Sequence, residues 1–96
     1  MEVIYHPLVR RDVEEVLYYY HKIAARLADE FQDEFREVIN QVAENPLRFH
    51  QIDEGFRRAN FKRFPYHVLY EPHPAGLRVM LLRHNKRHPR YGLPRE

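Results

Sequence analysis

The most informative pattern for the fold lies in residues 57–70, which read Arg57-Arg58-Ala59-Asn60-Phe61-Lys62-Arg63-Phe64-Pro65-Tyr66-His67-Val68-Leu69-Tyr70. Successive side chains of a strand point to opposite faces, so the alternation along 57–63 predicts a half-buried strand. Ala59 and Phe61 fall on its buried face. Arg58, Asn60 and Lys62 fall on its outer face. Phe64-Pro65 interrupts the strand and residues 66–71 resume it, which predicts a hairpin with a cationic outer face.

Two further segments follow the hairpin. The cluster of turn-forming residues at 72–76 predicts a turn, and residues 77–84 form the most apolar strand candidate of the chain. Three consecutive strands separated by turns predict an antiparallel meander. The remaining segment, residues 85–96, is basic and contains two prolines. Propensity alone does not predict whether this segment is ordered.

Two helices are predicted before the hairpin. Residues 3–5 are apolar and suit a short strand, which ends at His6-Pro7. Apolar residues then recur at helical spacing over residues 8–23, at Val9, Val13, Val16, Tyr20 and Ile23. A second helix begins near Ala24 and stops at Asn45-Pro46, because proline cannot continue the helical hydrogen-bond ladder. Its apolar stripe is formed by Leu27, Phe31, Phe35, Val38 and Val42.

These predictions together describe an α+β fold. A short N-terminal strand leads into an antiparallel helical hairpin, a loop at 47–55 follows, and a three-stranded antiparallel meander packs against the helices. With 96 residues the chain is long enough for one hydrophobic core, so we expect a single domain over residues 1–96 with a basic tail at 85–96.

Composition narrows the possible functions. The chain has no cysteine, which excludes disulfides and thiol nucleophiles and fits a reducing compartment. The first residues lack the charged and apolar regions of a signal peptide, and no apolar run is long enough to cross a bilayer. We therefore expect a soluble, cytoplasmic protein with no membrane partner.

Charge is divided unevenly along the chain. Residues 1–50 carry six Lys/Arg against ten Asp/Glu, a net of −4, whereas residues 51–96 carry ten against four, a net of +6. Clustered cations attract phosphates, so the basic half predicts a polyanionic partner such as RNA. An ordinary solvated basic surface is the alternative.

Several segments, taken in order, resemble the RelE/ParE superfamily of bacterial toxins. The run Tyr18-Tyr19-Tyr20 at the end of the first helix, Ala28 and Phe31 in the second, and Asn45-Pro46 after it are similar to the family's N-terminal pattern. The Arg-rich strand, the Phe-Pro-Tyr turn and the Tyr-ended strand of residues 57–70 are similar to many members. Residues 84–91 resemble the terminal segment, in which His, Arg, Pro and Tyr recur at this spacing.

The resemblance implies a toxin of a type II toxin–antitoxin system, held inactive by a cognate antitoxin. Members of the superfamily are either ribosome-dependent mRNA endonucleases or inhibitors of DNA gyrase, and we expect the first activity here, with ribosome-bound mRNA as substrate. Gyrase inhibition is the alternative, as is a domain that has lost toxicity and binds a partner peptide. The chain departs from the family pattern in two places: Tyr91 is followed by Gly92 where many members have Trp, and His67 occupies the position of a strand Arg.

RNA cleavage without a metal requires a base, an acid and cations near the phosphorane. Histidine suits the proton transfers and Arg or Lys suits phosphate binding. The predicted catalytic residues are Arg83, His84, Tyr91 and His67. The predicted phosphate- or RNA-binding residues are Arg58, Lys62, Lys86 and Arg87.

Each of these candidates also has an ordinary structural interpretation. His67 suits cross-strand packing, and Arg58 with Lys62 suits a solvated sheet face. His84 and His88 have the i, i+4 spacing of a metal pair, but no helix is predicted there, so we expect no metal and no cofactor. The three tyrosines at 18–20 are predicted to pack the hairpin, and the acidic residues of the second helix are predicted to be ordinary surface charge.

Overall fold

The computed structural model describes residues 2–52 and 55–96. Its elements in chain order are β1 (Glu2–Tyr5), α1 (Val9–Ile23), α2 (Ala25–Glu44), β2 (His50–Gln51), β3 (Arg57–Asn60), β4 (Tyr66–His73) and β5 (Gly76–His84). The strands form one five-stranded sheet in the order β1-β5-β4-β3-β2. β1 runs parallel to β5 and the other neighbours are antiparallel. The predicted α+β fold, helical hairpin and antiparallel meander are confirmed.

The sheet contains two strands beyond the predicted meander. β1 adds to it alongside β5, and β2 lies inside the segment that was predicted to be a loop, residues 47–55. Residues 1, 53 and 54 lie outside the described residues, so the loop predicted at 47–55 is described only in part. A strand of only two residues is too short for an alternating pattern to reveal it.

The strand predicted over residues 57–63 was wrong in its last part, because β3 ends at Asn60. Phe61 N–H donates to Tyr66 O, which closes the turn toward β4. The Glu34 carboxylate of α2 then accepts the backbone N–H groups of Lys62, Arg63 and Phe64 at 3.1–3.2 Å. A side chain that is distant in sequence thus replaces the ladder hydrogen bonds of these residues.

The turn predicted at 72–76 is also shorter, since β4 continues to His73 and β5 begins at Gly76. Pro72 lies opposite Leu77 of β5, but by alternation from Tyr66 its nitrogen faces the β3 side, where the pairing has already ended with Arg57 opposite Tyr70. The missing N–H of Pro72 therefore breaks no hydrogen bond of the ladder.

The main core lies between the helices and one face of the sheet. Phe31 of α2 is fully buried at its centre and its ring lies within 6 Å of four other aromatic rings, those of Tyr20, Phe61, Phe64 and Tyr66. Burial of such large apolar rings supplies most of the stabilisation that a chain of this size can obtain.

The predicted packing of all three tyrosines of α1 was wrong for two of them. Tyr20 packs into the core, but Tyr18 is 67% exposed and Tyr19 is 54% exposed. Consecutive helical residues point about 100° apart, so three in a row cannot share one buried face. Ile23, at the end of the predicted apolar stripe, is also exposed.

A second, smaller apolar cluster covers the opposite face of the sheet. It consists of Phe56, Leu69, Met80 and Leu81, with Ile52 and Leu93 packed against it. Leu93 belongs to the C-terminal segment, residues 85–96, which folds back over this face. Within residues 2–52 and 55–96, no helix has both the length and the apolar character needed to cross a bilayer.

Candidate functional site

The predicted site residues fall into three separate places. His67 and Arg83 are buried between the sheet and the C-terminal segment, at 1% and 4% exposure. Arg58 lies at the rim of this buried pair, and Lys62 lies on the turn after β3. Four more residues line a cleft beside the end of β5, namely His84, Lys86, Arg87 and Tyr91. The chain therefore does not bring all eight side chains to one surface.

The buried pair is a hydrogen-bonded unit. His67 on β4 lies opposite Arg83 on β5, and Arg83 Nε donates to His67 Nε2 at 3.0 Å. The other ring nitrogen of His67, Nδ1, lies 2.8 Å from Asn85 Oδ1. Because Nε2 accepts a hydrogen bond, Nδ1 must carry the proton and donate to Asn85.

The pKa of His67 is lowered to about 4, chiefly by burial, with smaller contributions from Arg58, Arg83 and His84 and against the opposing effect of the Asn85 hydrogen bond. Burial, and then Arg58, also lower the pKa of Arg83. Since a guanidinium stays charged in proteins, the pair at neutral pH is a neutral imidazole beside a cation.

Arg83 fixes the C-terminal segment. Its Nη1 donates to the carbonyl oxygens of Pro89 at 2.6 Å and Tyr91 at 3.1 Å. Charge-assisted hydrogen bonds of this kind are stronger than those between neutral groups. The guanidinium is thereby hydrogen-bonded to the protein's own backbone, so Arg83 holds the backbone of Tyr91 in place.

Arg58 and Lys62 do not share a strand face, contrary to the prediction. Arg58 Nε donates to Asn60 Oδ1 at 2.8 Å, and its Nη2 donates to Asn85 Oδ1 at 3.3 Å. Lys62 lies beyond the end of β3, on the turn that Glu34 holds. Arg58 therefore belongs to the rim of the buried network, whereas Lys62 is an exposed cation elsewhere.

The cleft lies between α1, the end of β5 and the C-terminal segment, and its volume is about 610 Å³. Four tyrosines contribute to its walls: Tyr19, Tyr20, Tyr66 and Tyr91. The guanidinium carbon of Arg87 lies 4.6 Å from the centre of the Tyr91 ring, within the range of a cation–π contact. Cations and aromatic rings therefore face a common space in this cleft.

His84 has one ring nitrogen committed within this cleft. Its Nδ1 accepts a hydrogen bond from the backbone N–H of Lys86 at 3.0 Å. Its ring packs edge-on against that of Tyr66, with the two ring centres 4.9 Å apart. The neutral imidazole therefore carries its proton on Nε2 and is a hydrogen-bond donor from that atom.

The carboxylates beside the cleft are paired with arginines. Asp12 binds Arg95 through two short contacts, Arg95 Nη1 to Oδ2 at 2.6 Å and Nη2 to Oδ1 at 2.9 Å. Glu15 is paired with Arg11 at 3.3 Å. Lys86 has no carboxylate partner among residues 2–52 and 55–96. The charge that the cleft offers a ligand is therefore positive.

Asp12 and Arg95 are structural residues that the sequence did not reveal. Besides holding Arg95, Asp12 Oδ2 accepts the backbone N–H of Leu82 at 3.2 Å, and Arg95 Nη1 donates to Met80 O at 3.0 Å. The two residues are separated by 83 positions, and no periodic pattern links them. Together they cap two backbone groups of β5, Leu82 N–H and Met80 O, and attach the end of the C-terminal segment to α1.

No group of three or more His, Cys, Asp or Glu side chains in the described part of the chain is arranged to hold a metal ion. The groups that the cleft offers are cations, phenol rings and one imidazole N–H. Such groups bind anions and stack on planar rings.

The helical hairpin lies on one face of a mixed sheet and the basic C-terminal segment lies over the other face, which is the architecture of a RelE/ParE-like fold. The family model of the ParE toxin of the type II toxin–antitoxin system parDE matches residues 3–89, and the chain belongs to this family. Family membership implies a cognate antitoxin as partner.

Among solved structures, a chain described as the chromosomal ParDE toxin–antitoxin system from P. aeruginosa is similar in fold, with a TM-score of 0.77. The two chains are 11% identical, and the match covers 88% of this chain and 95% of the other. At this identity the similarity concerns the fold. No curated protein matches the sequence.

Proposed function

We propose that this toxin acts by binding its target, DNA gyrase, and not by cleaving mRNA. The observation that supports this proposal most directly is the commitment of both candidate histidines to internal hydrogen bonds. The superfamily resemblance offers two activities, and only one of them needs a proton-transfer pair at the site.

General base catalysis requires an unprotonated nitrogen that faces the substrate. In His67 that nitrogen accepts from buried Arg83, and in His84 it accepts from the backbone of Lys86. Acid catalysis by either ring would require a second proton on the same nitrogen, which would break the hydrogen bond that it accepts. The two imidazoles are therefore suited to support the structure and to donate, and poorly suited to exchange protons with RNA.

Binding, in contrast, benefits from the way the C-terminal segment is held. Residues 85–91 are exposed, and they carry Lys86, Arg87 and Tyr91 on a backbone that Arg83 fixes from below. A surface that is already ordered loses little entropy on association. Tyr and Arg are also the side chains most enriched among residues that dominate binding energy.

Cleavage of ribosome-bound mRNA is the second candidate, because one observation favours it. Lys86, Arg87 and Tyr91 line a single cleft, where two cations could hold phosphate while the phenol stacks on a base or transfers a proton. This intact cationic group also argues against a domain that has lost toxicity. Gyrase and ribosomes are both found in the bacterial cytoplasm, so either target implies that the toxin acts there.

The test is controlled expression of the chain in a bacterial host, with two readouts from the same culture. We expect gyrase-linked DNA breaks and SOS induction, with mRNA that remains uncut. The double variant Lys86→Ala/Arg87→Ala should lose toxicity, whereas Arg36→Ala, which removes an exposed arginine of α2, should not.

Mapped cuts in mRNA would overturn the proposal if they appear before any DNA breaks and disappear in Tyr91→Phe. Circular dichroism of each purified variant should show the wild-type spectrum, so that lost toxicity is not confused with lost folding.

A further inference from the structure

The edge of β5 is only partly covered by its neighbour. β1 pairs with β5 from Gly76 to Val79, and beyond that point no described strand lies on this side. Asn85 N–H donates to Pro65 O on the β4 side, so by alternation the backbone groups of Leu82 and His84 point to the other side. Both residues line the cleft.

Four backbone groups point outward along this edge, and two of them have partners. Leu82 N–H donates to Asp12, and His84 O accepts the N–H of Arg87. Leu82 O and His84 N–H have no partner within residues 2–52 and 55–96. The cleft thus presents one acceptor and one donor, two residues apart on a single strand edge, to whatever enters it.

An adenine base matches this pair. Its N6 amino group donates and its neighbouring ring nitrogen N1 accepts, so one planar edge can satisfy Leu82 O and His84 N–H together. A peptide strand fits less well, because the groups already bonded to Asp12 and Arg87 leave only one carbonyl and one amide of β5 open for pairing. Strand addition draws its affinity from a run of such hydrogen bonds.

The remaining walls suit the other parts of a nucleotide. Tyr19 and Tyr91 are about half exposed, and aromatic rings of this kind stack on bases. Lys86 and Arg87 supply positive charge for a phosphate, and the neighbouring carboxylates are neutralised by Arg95 and Arg11. The volume of about 610 Å³ lies within the range typical of small-molecule sites.

We propose that this cleft binds an adenine nucleotide, with the base on Leu82 O and His84 N–H and the phosphate on Lys86 and Arg87. The nucleotide is either free or the unpaired end of a strand, since both present the same edge and the same phosphate. The inference does not depend on the target of the toxin, because it concerns binding by the isolated chain.

The experiment is a titration of the purified, ¹⁵N-labelled protein by NMR, with AMP and IMP as the matched ligands. IMP replaces the N6 amine by a carbonyl and carries a proton on N1, so its edge reverses the order of donor and acceptor. We expect AMP to shift the His84 amide and to bind roughly tenfold or more tightly than IMP.

Two protein variants accompany the titration. Lys86→Ala/Arg87→Ala should weaken AMP binding by about tenfold, since two charged contacts to phosphate are lost, and Arg36→Ala should leave it unchanged. Equal affinity for AMP and IMP, or an unshifted His84 amide at saturation, would overturn the proposal. Protection of the His84 amide by an acidic peptide but not by AMP would overturn it as well.

A 5′-phosphorylated adenine trinucleotide distinguishes the two sources. Tighter binding than AMP identifies the end of a strand as the natural ligand, and equal or weaker binding identifies the free nucleotide. Both results support the site. The titration contains no gyrase or ribosome, so its failure would leave the proposed function standing, and failure of the expression experiment would leave the site standing.

Discussion

Lowering the pH should destabilise this protein through one buried side chain, His67. Its pKa falls from the ordinary 6.5 to about 4 in the folded state, chiefly because of burial. Above pH 6.5 the ring is neutral in both the folded and the unfolded chain, and its contribution to stability is complete. Below pH 6.5 the unfolded chain binds a proton that the folded chain accepts only near pH 4. The contribution is therefore lost as the pH falls through this window.

The magnitude follows from the difference between the two pKa values. One pKa unit corresponds to about 1.4 kcal/mol, so moving the pKa of His67 from 6.5 to about 4 is worth ~3 kcal/mol at most. At pH 5.0 the folded ring is still mostly neutral, whereas the unfolded ring is mostly protonated. The free energy of unfolding should then be lower than at pH 7.5 by ~2 kcal/mol from this group alone.

Urea unfolding at pH 7.5 and at pH 5.0 measures this loss, and His67→Gln isolates it. Glutamine can accept from Arg83 and donate to Asn85 but does not titrate, so the variant should lose ~2 kcal/mol less than the wild type between the two pH values. His21→Gln, which removes an exposed histidine of α1, should behave like the wild type. The reasoning is refuted if His67→Gln retains the full pH dependence.

Three further predictions concern single contacts that hold the fold, each measured by urea unfolding at pH 7.5. Asp12→Ala should lower the free energy of unfolding by ~3 kcal/mol, because Arg95 and the backbone N–H of Leu82 lose their acceptor. Arg95→Ala should lower it by about half as much, and equal losses would contradict this order. Tyr70→Phe should cost ~1.5 kcal/mol, since the phenol donates to Pro46 O at 2.6 Å, and an unchanged stability would show that water replaces this bond. Glu34→Ala should cost ~2 kcal/mol and Glu34→Gln less, because glutamine keeps one acceptor for the turn amides; the reverse ranking would count against the role assigned to the carboxylate.

Periodicity predicted the parts of the fold that depend on local pattern. The helical stripe through Phe31, Val38 and Val42 is buried as predicted, and the alternation around Ala59 assigned the correct buried face of β3. These predictions succeed because one face of each element meets a core that the same element helps to form.

Contacts between distant residues could not be predicted in this way. The end of β3 is set by Glu34, which lies about thirty residues earlier and looks like ordinary surface charge in the sequence. His67 alternates with apolar residues that are also buried, because the C-terminal segment covers the second face of the sheet. Neither the position of that segment nor its attachment through Asp12 and Arg95 leaves a sequence signal.

Prediction of the candidate site was likewise partial, since the structure brings some of the predicted residues together and not others. His84, Lys86, Arg87 and Tyr91 were predicted from residue type and meet in one cleft. His67 and Arg83 were predicted to be catalytic by the same criterion, yet they are buried and hydrogen-bonded to each other. Residue type identifies suitable chemistry, whereas solvent access depends on how the C-terminal segment folds.

Inhibition of purified gyrase is the most direct test of the proposed mode of action. The toxin would be added to DNA gyrase, ATP and relaxed plasmid, and in parallel to translating ribosomes programmed with a defined mRNA. We predict loss of supercoiling with accumulation of cleaved plasmid, abolished in Lys86→Ala/Arg87→Ala and retained in Arg36→Ala, while the mRNA stays intact. Normal supercoiling together with discrete cuts in the ribosome-bound mRNA would contradict the proposal that this toxin acts by binding gyrase.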